Sequence, residues 1–221
     1  MRGDVCVSVA GSCKKCDWLR GDAAGLEILE KTCSDVNVLF LSADACKFTL
    51  DPNTAHRKLL LSEGNRKVMH VEEKPPYPDH PERFQYCEQV LCREGVSRRC
   101  YWEVEVSGIL VYIGVTYKGI SRRGLVSDCR LGDNNKSWVL TCYKNSYSVR
   151  HNKINTAIPA RPSSPKRVGV YLDWSAGTLT FYSISSDKLT HLHTFHSTFT
   201  EPLYPGFRLK YKSSLTLCEI K

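Results

Sequence analysis

Several groups of residues have types and spacings that could do chemistry. Cys13-Lys14-Lys15-Cys16 is a Cys-x-x-Cys pair, and Cys6 or Cys33 could join it around a single zinc ion. His191, His193 and His196 form the one histidine cluster, and on a strand His191 and His193 project from the same face. Glu103 and Glu105 share a strand face in the same way, as a general acid and a general base would. A plainer reading stands beside each. The first is an irregular cysteine-containing segment. The histidines have no acidic or cysteine ligand near them in sequence, which suits a solvated strand edge. The two glutamates fall on the polar side of an alternating run, which suits exposed positions. No Gly-x-Ser-x-Gly elbow, phosphate loop or dinucleotide fingerprint accompanies the serines. The residues therefore point away from an enzyme: no catalytic residue, no cofactor and no metal is expected.

Charge is the next signal. The 221 residues carry 31 Lys plus Arg and 23 Asp plus Glu, a net charge of +8. The excess lies entirely in residues 99–221, where 17 basic side chains face 8 acidic ones. Lys118, Arg122, Arg123, Arg130 and Lys136 sit in loop-like stretches, followed by Lys144, Arg150 and Lys153, with Tyr143 and Tyr147 interleaved. Basic residues among aromatics can meet nucleic acid, but no nucleic-acid-binding motif supports that, and a surface for an acidic protein is the preferred reading. No run of about 18 apolar residues is present, so no membrane partner is expected. The 11 cysteines are odd in number and show no disulfide spacing, and no compact apolar signal precedes them. They read as reduced thiols of a cytoplasmic protein, with Cys100 and Cys142 as small buried hydrophobes.

The elements that would position these residues are mostly strands. A helix is expected over 22–33, where Asp22 can cap and Leu26, Leu29 and Cys33 recur on one side. Strands are expected over 36–41, 47–50 and 68–71, interrupted by a proline-rich loop at 74–81. In 101–106 Trp102, Val104 and Val106 alternate with Glu103 and Glu105, a half-buried strand. Further strands are expected over 110–116, 138–142, 146–150, 168–174, 178–183, 192–195, 207–209 and 215–220. Many short strands at near-regular spacing imply an all-β sandwich.

Five segments carry a family resemblance. Leu50-Asp51-Pro52-Asn53-Thr54-Ala55 comes first, then Cys100-Tyr101-Trp102-Glu103-Val104-Glu105-Val106, then the hairpin at 167–182. Pro202-Leu203-Tyr204-Pro205-Gly206-Phe207 and Leu215-Thr216-Leu217-Cys218 close the set. Together they resemble the PRY and SPRY segments of a B30.2-type domain. The run from Tyr112 to Gly124 is similar to domains ending fish NOD-like receptors, fish tripartite-motif proteins and stonefish-type toxins. The sequence departs from the family at Trp174 and at Arg150, which precedes His151-Asn152.

The resemblance implies a bent antiparallel β-sandwich of the concanavalin-like jelly-roll kind, here with a short N-terminal helix. It divides the chain into an extension (1–35), a PRY segment (36–98) and a SPRY segment (99–221). It implies a protein-interaction module in innate-immune or ubiquitin-linked signalling, binding through loops at one end of the sandwich. The candidate contacts carried over are Arg130, Asn134, Tyr143, Asn145, Tyr147 and Tyr204. Two alternatives follow from the same resemblance. One is the substrate-recognition part of a tripartite-motif ubiquitin ligase; residues 1–55 hold five cysteines and no histidine, too few ligands for a two-zinc RING. The other is a toxin-like membrane-acting chain.

Overall fold

The structure is a computed structural model and describes residues 43–220 apart from 74–75, 145, 160–165 and 186–187. The helix expected over 22–33, the strand over 36–41, the Cys13–Cys16 pair and Asn145 lie outside the described residues.

Among the described residues thirteen strands make up two antiparallel sheets. The first sheet contains β1 (Leu59–Ser62), β2 (Lys67–His70), β13 (Ser214–Leu217), β4 (Cys100–Ser107), β9 (Arg167–Asp173), β10 (Thr178–Ser185) and β11 (Lys188–His196), in that spatial order. The second contains β3 (Gln89–Leu91), β12 (Leu203–Leu209), β5 (Leu110–Tyr117), β6 (Ser137–Tyr143), β7 (Ser146–His151) and β8 (Ile154–Ile158). A four-residue helix, α1 (Val126–Cys129), interrupts the connection between β5 and β6.

The alternation in β4 works as expected: Trp102 and Val104 are buried and face the opposite sheet. They meet Val170 and Leu172 of β9 and Leu179 and Phe181 of β10 in one core. Ile113, Val115, Trp138, Leu140 and Phe207 enter the same core from the second sheet. Each such side chain contributes about 1.5–3 kcal/mol of burial. A smaller cluster of Phe84, Leu91, Ile120, Leu131 and Val139 covers the outer face of the second sheet. Arg122 pins this cover, with its guanidinium over the Phe84 ring and paired to Glu82 at 2.9 Å. Residues 80–91 therefore pack on strands of the later half, and the PRY and SPRY segments share one fold.

Several expectations change in detail. Residues 47–50 join no ladder; only Leu50 bridges, to Cys92. Strands β1, β3 and β8 were not expected, because Leu-Leu-Leu-Ser does not alternate, Gln-Val-Leu is too short, and Ile-Asn-Thr-Ala-Ile sets the poor strand formers Asn and Ala on either side of its threonine. Glu103 is not an exposed residue: it accepts a hydrogen bond from the Tyr101 hydroxyl at 2.7 Å and pairs with Arg167 at 2.5 Å. Cys46 and Cys100 are joined in a disulfide, which corrects the reading of all the thiols as reduced. The pairing of Ala45 with Tyr101 and the hydrogen bond from Cys46 N to Tyr101 O at 2.9 Å bring the two sulfurs together.

Candidate partner-binding site

The two ends of the second sheet differ in chemistry, and the six candidate residues divide between them. The strand β6 separates the ends. Its seven residues span roughly 20 Å at about 3.3 Å per residue.

At one end lie Arg130, Asn134 and Tyr204, and all three have structural duties. Asp133 pairs with Arg130 at 3.0 Å and with Arg150 at 2.6 Å, and its carboxylate is nearly buried. Asn134 donates to the carbonyls of Ser127, Asp128 and Arg130 and accepts from Lys136 N and Ser137 Oγ, so its amide is consumed in shaping the loop. The Tyr204 ring rests on Gly95, where an added Cβ would fall 2.6 Å from the ring, and Lys118 Nζ sits over it at 4.9 Å.

At the other end three segments meet: 107–110 between β4 and β5, 143–144 following β6, and 210–213 between β12 and β13. Backbone hydrogen bonds tie them together. Lys144 N donates to Ile109 O at 3.0 Å, and Lys210 N donates to Leu110 O at 3.1 Å. Leu110 N donates to Ser213 Oγ at 3.2 Å. Gly108 is required here. Its φ is +99°, and a Cβ would meet Lys212 O at 2.2 Å. On this framework Ile109, Tyr143 and Tyr211 are 47%, 46% and 47% exposed. Lys144 Nζ lies 5.5 Å from the Tyr143 ring centre and Lys212 Nζ 5.2 Å from that of Tyr211. Both lysines have positive φ, +49° and +57°. A non-glycine residue there costs about 1–2 kcal/mol, borne by the surrounding hydrogen bonds. Lys210 is neutralised by Glu88 at 3.0 Å. The result is a rim of two tyrosines and an isoleucine with Lys144 and Lys212 beside them, and with the Tyr211 hydroxyl hydrogen-bonded to Glu72. Tyrosine and isoleucine supply contact area at small entropic cost, and lysine selects for negative charge.

Of the candidates, only Tyr143 stands on this rim among the described residues. Tyr147 is 6% exposed and belongs to the core, paired to Cys142 and Ile158, so it is not a surface contact. Alternation explains the difference: Tyr143 ends β6 past the core, whereas Tyr147 points inward from β7. Ile109 and Tyr211 were missed. The available signals were an apolar residue after the Ser107-Gly108 turn and an aromatic among polar residues before β13.

The remaining chemistry-bearing groups are engaged elsewhere. The five free thiols among the described residues, Cys87, Cys92, Cys129, Cys142 and Cys218, are all pushed up by burial, Cys142 to about 12. None is held as a thiolate. His191 bonds Thr194 Oγ1 at 2.9 Å and His193 packs on Phe195. Among the described residues no three His, Cys, Asp or Glu side chains converge as metal ligands, and no helix is long and apolar enough to cross a membrane.

Two family models cover the described fold. The PRY model, a SPRY-associated domain, matches residues 48–96, and the SPRY domain model matches residues 99–220. The chain belongs to the SPRY domain family. It is similar to the stonustoxin beta subunit of Synanceia horrida, 49% identical over 163 residues that make up 73% of this chain and 23% of that protein. It is also similar to tripartite motif-containing protein 16 of Mus musculus, 38% identical over 77% of this chain and 31% of that protein. The crystal structure of the TRIM65 PSpry domain superposes with a TM-score of 0.74 at 32% identity, covering 81% of this chain and 94% of that one. The chain thus spans about a quarter to a third of these longer relatives. The SPRY sandwich is a non-catalytic interaction fold, and its architecture here is the antiparallel sandwich expected from the sequence.

Proposed function

We propose that this chain is a protein-interaction module, not an enzyme, which binds a partner with an acidic surface through Ile109, Tyr143 and Tyr211. The observation that carries the reading is the convergence of these three exposed side chains on loops locked to one another, flanked by Lys144 and Lys212. Exposed aromatic anchors on a fixed framework are the usual source of binding energy at an interface. The likeness to tripartite-motif proteins supports a cytoplasmic role as the recognition part of a signalling or ubiquitin-linked assembly. The likeness to stonustoxin subunits supports a second reading, recognition within a toxin-like assembly.

The test is affinity capture with wild type, Tyr143→Ala, Tyr211→Ala and Tyr204→Ala chains at two salt concentrations. The first two variants lose the captured partner, Tyr204→Ala keeps it, and added salt weakens it. Loss with Tyr204→Ala but not with Tyr143→Ala would move the site to the opposite end. Liposome leakage by the chain alone would favour the toxin-like reading.

A further inference from the structure

A sandwich with two open sheets has four edge strands, which among the described residues are β1, β11, β3 and β8. An edge exposes unpaired backbone groups, and proteins blunt such edges with charge, proline, bulges or cover. Three of the four are blunted. On β1 the Leu61 amide donates to the Tyr77 hydroxyl at 3.1 Å. The strand β3 is buried and covered by residues 50–56, with Leu91 N donating to Thr54 Oγ1 and Asp51 N to Leu91 O. The strand β11 carries Lys188, His191, His193 and His196, and its pairing with β10 contains a register shift. Among the described residues the strand β8 has none of these devices. Ile154, Asn155, Thr156 and Ala157 are all exposed, Ile154 at 70%, and the strand contains no charge and no proline. Among the described residues nothing pairs with its free edge.

We propose that β8 is a self-pairing surface, through which two copies of this chain join antiparallel about Thr156. The register follows from the β7–β8 hairpin. Asn152 and Lys153, with φ of +47° and +68°, form a two-residue loop, so His151 and Ile154 are the closing hydrogen-bonded pair. Bonded and non-bonded pairs then alternate along the ladder. Ile154, Thr156 and Ile158 bond inward to β7, whereas Asn155 and Ala157 turn their backbone N–H and C=O outward. A two-fold axis through Thr156 sets Asn155 of one copy opposite Ala157 of the other, and each pair exchanges both hydrogen bonds. Thr156 meets Thr156, a favourable cross-strand pair, and the exposed Ile154 meets Ile158. The Lys153 residues lie at opposite ends of the joined strands and do not face each other. Pro159 limits the pairing to β8 itself. The strand is therefore self-complementary in hydrogen bonding, in side-chain type and in its lack of charge. The partner-binding rim uses none of these residues.

The two associations respond oppositely to salt. Two copies of a +8 chain repel, so salt strengthens self-association, while it weakens binding of an acidic partner. The experiment is sedimentation equilibrium of the 221-residue chain up to about 1 mM, a range that reaches weak dimers. Wild type shows a concentration-dependent dimer. Thr156→Lys and Thr156→Glu each dimerise about fivefold more weakly, because like charges then sit directly opposite. An equimolar mixture of the two recovers dimerisation, and Tyr143→Ala leaves it unchanged. Hydrogen exchange on wild type gives a readout free of mutation: the Asn155 and Ala157 amides gain protection as concentration rises. A wild type that stays monomeric, with its edge left for some other chain, would overturn the proposal. So would Thr156 variants that dimerise like wild type, or a mixture that recovers nothing.

Discussion

Tyr143 and Tyr147 are four residues apart in one hairpin, and replacing each by alanine separates surface recognition from core packing. Tyr147 is 6% exposed and packs in the main core between β6 and β8. Truncating a large buried aromatic costs about 3–5 kcal/mol. For a domain of this size each kcal/mol lowers Tm by about 2–4 °C, so Tyr147→Ala should melt roughly 6–20 °C lower. Tyr143 is 46% exposed, and its truncation should change stability by no more than about 0.5 kcal/mol. As an anchor it should cost at least about 2 kcal/mol of partner binding, roughly 30-fold in affinity. The assay pairs differential scanning calorimetry of both variants with titration calorimetry against a captured partner. A Tyr143→Ala chain that binds normally, or a Tyr147→Ala chain that melts with wild type, would refute the reasoning.

Asp133→Asn should destabilise the fold by about 2 kcal/mol in urea titrations, because Arg130 and Arg150 lose the nearly buried carboxylate between them while remaining about one-third exposed. Gly114→Ala should cost more than the rotamer-neutral average for a surface change, since its Cβ would lie 2.2 Å from Trp138 O in the middle of the β5–β6 pair; unchanged thermal unfolding would contradict this. Stability should fall as pH drops from 7.5 to 5.5. Burial lowers the folded pKa of His56, His70 and His193, so the contribution is full above the unfolded value of about 6.5 and is lost as pH falls below it towards the folded values. A flat melting profile across that range would count against it. Non-reducing peptide mapping should recover a Cys46–Cys100 linked peptide, and reduction should lower stability by about 4 kcal/mol on the chain-entropy account for the 54-residue separation.

The division between sequence and structure follows the range of the forces involved. Alternation in β4, the glycine turn before β10 and the order of five motifs were enough for an all-β sandwich, because strand period and turn chemistry are local properties. The same local information placed the basic excess in residues 99–221. It did not say where those charges are spent. Arg122, Arg150, Arg167 and Lys210 each meet a carboxylate from a distant part of the chain, which only folding brings near, whereas Arg130 meets Asp133 three residues on. Nor did it separate the candidate site. Arg130, Asn134 and Tyr204 occupy one end of a sheet and Tyr143 the other, because β6 runs straight between segments that are close in sequence. Ile109 and Tyr211 are about a hundred residues apart, yet pairing of β4 with β13 and β5 with β12 sets their loops side by side. By itself the sequence determined the family, the fold class and one rim residue, through local periodicity and motif order. Tertiary pairing alone decided which end is a surface, which tyrosine is core, and which edge strand remains open among the described residues.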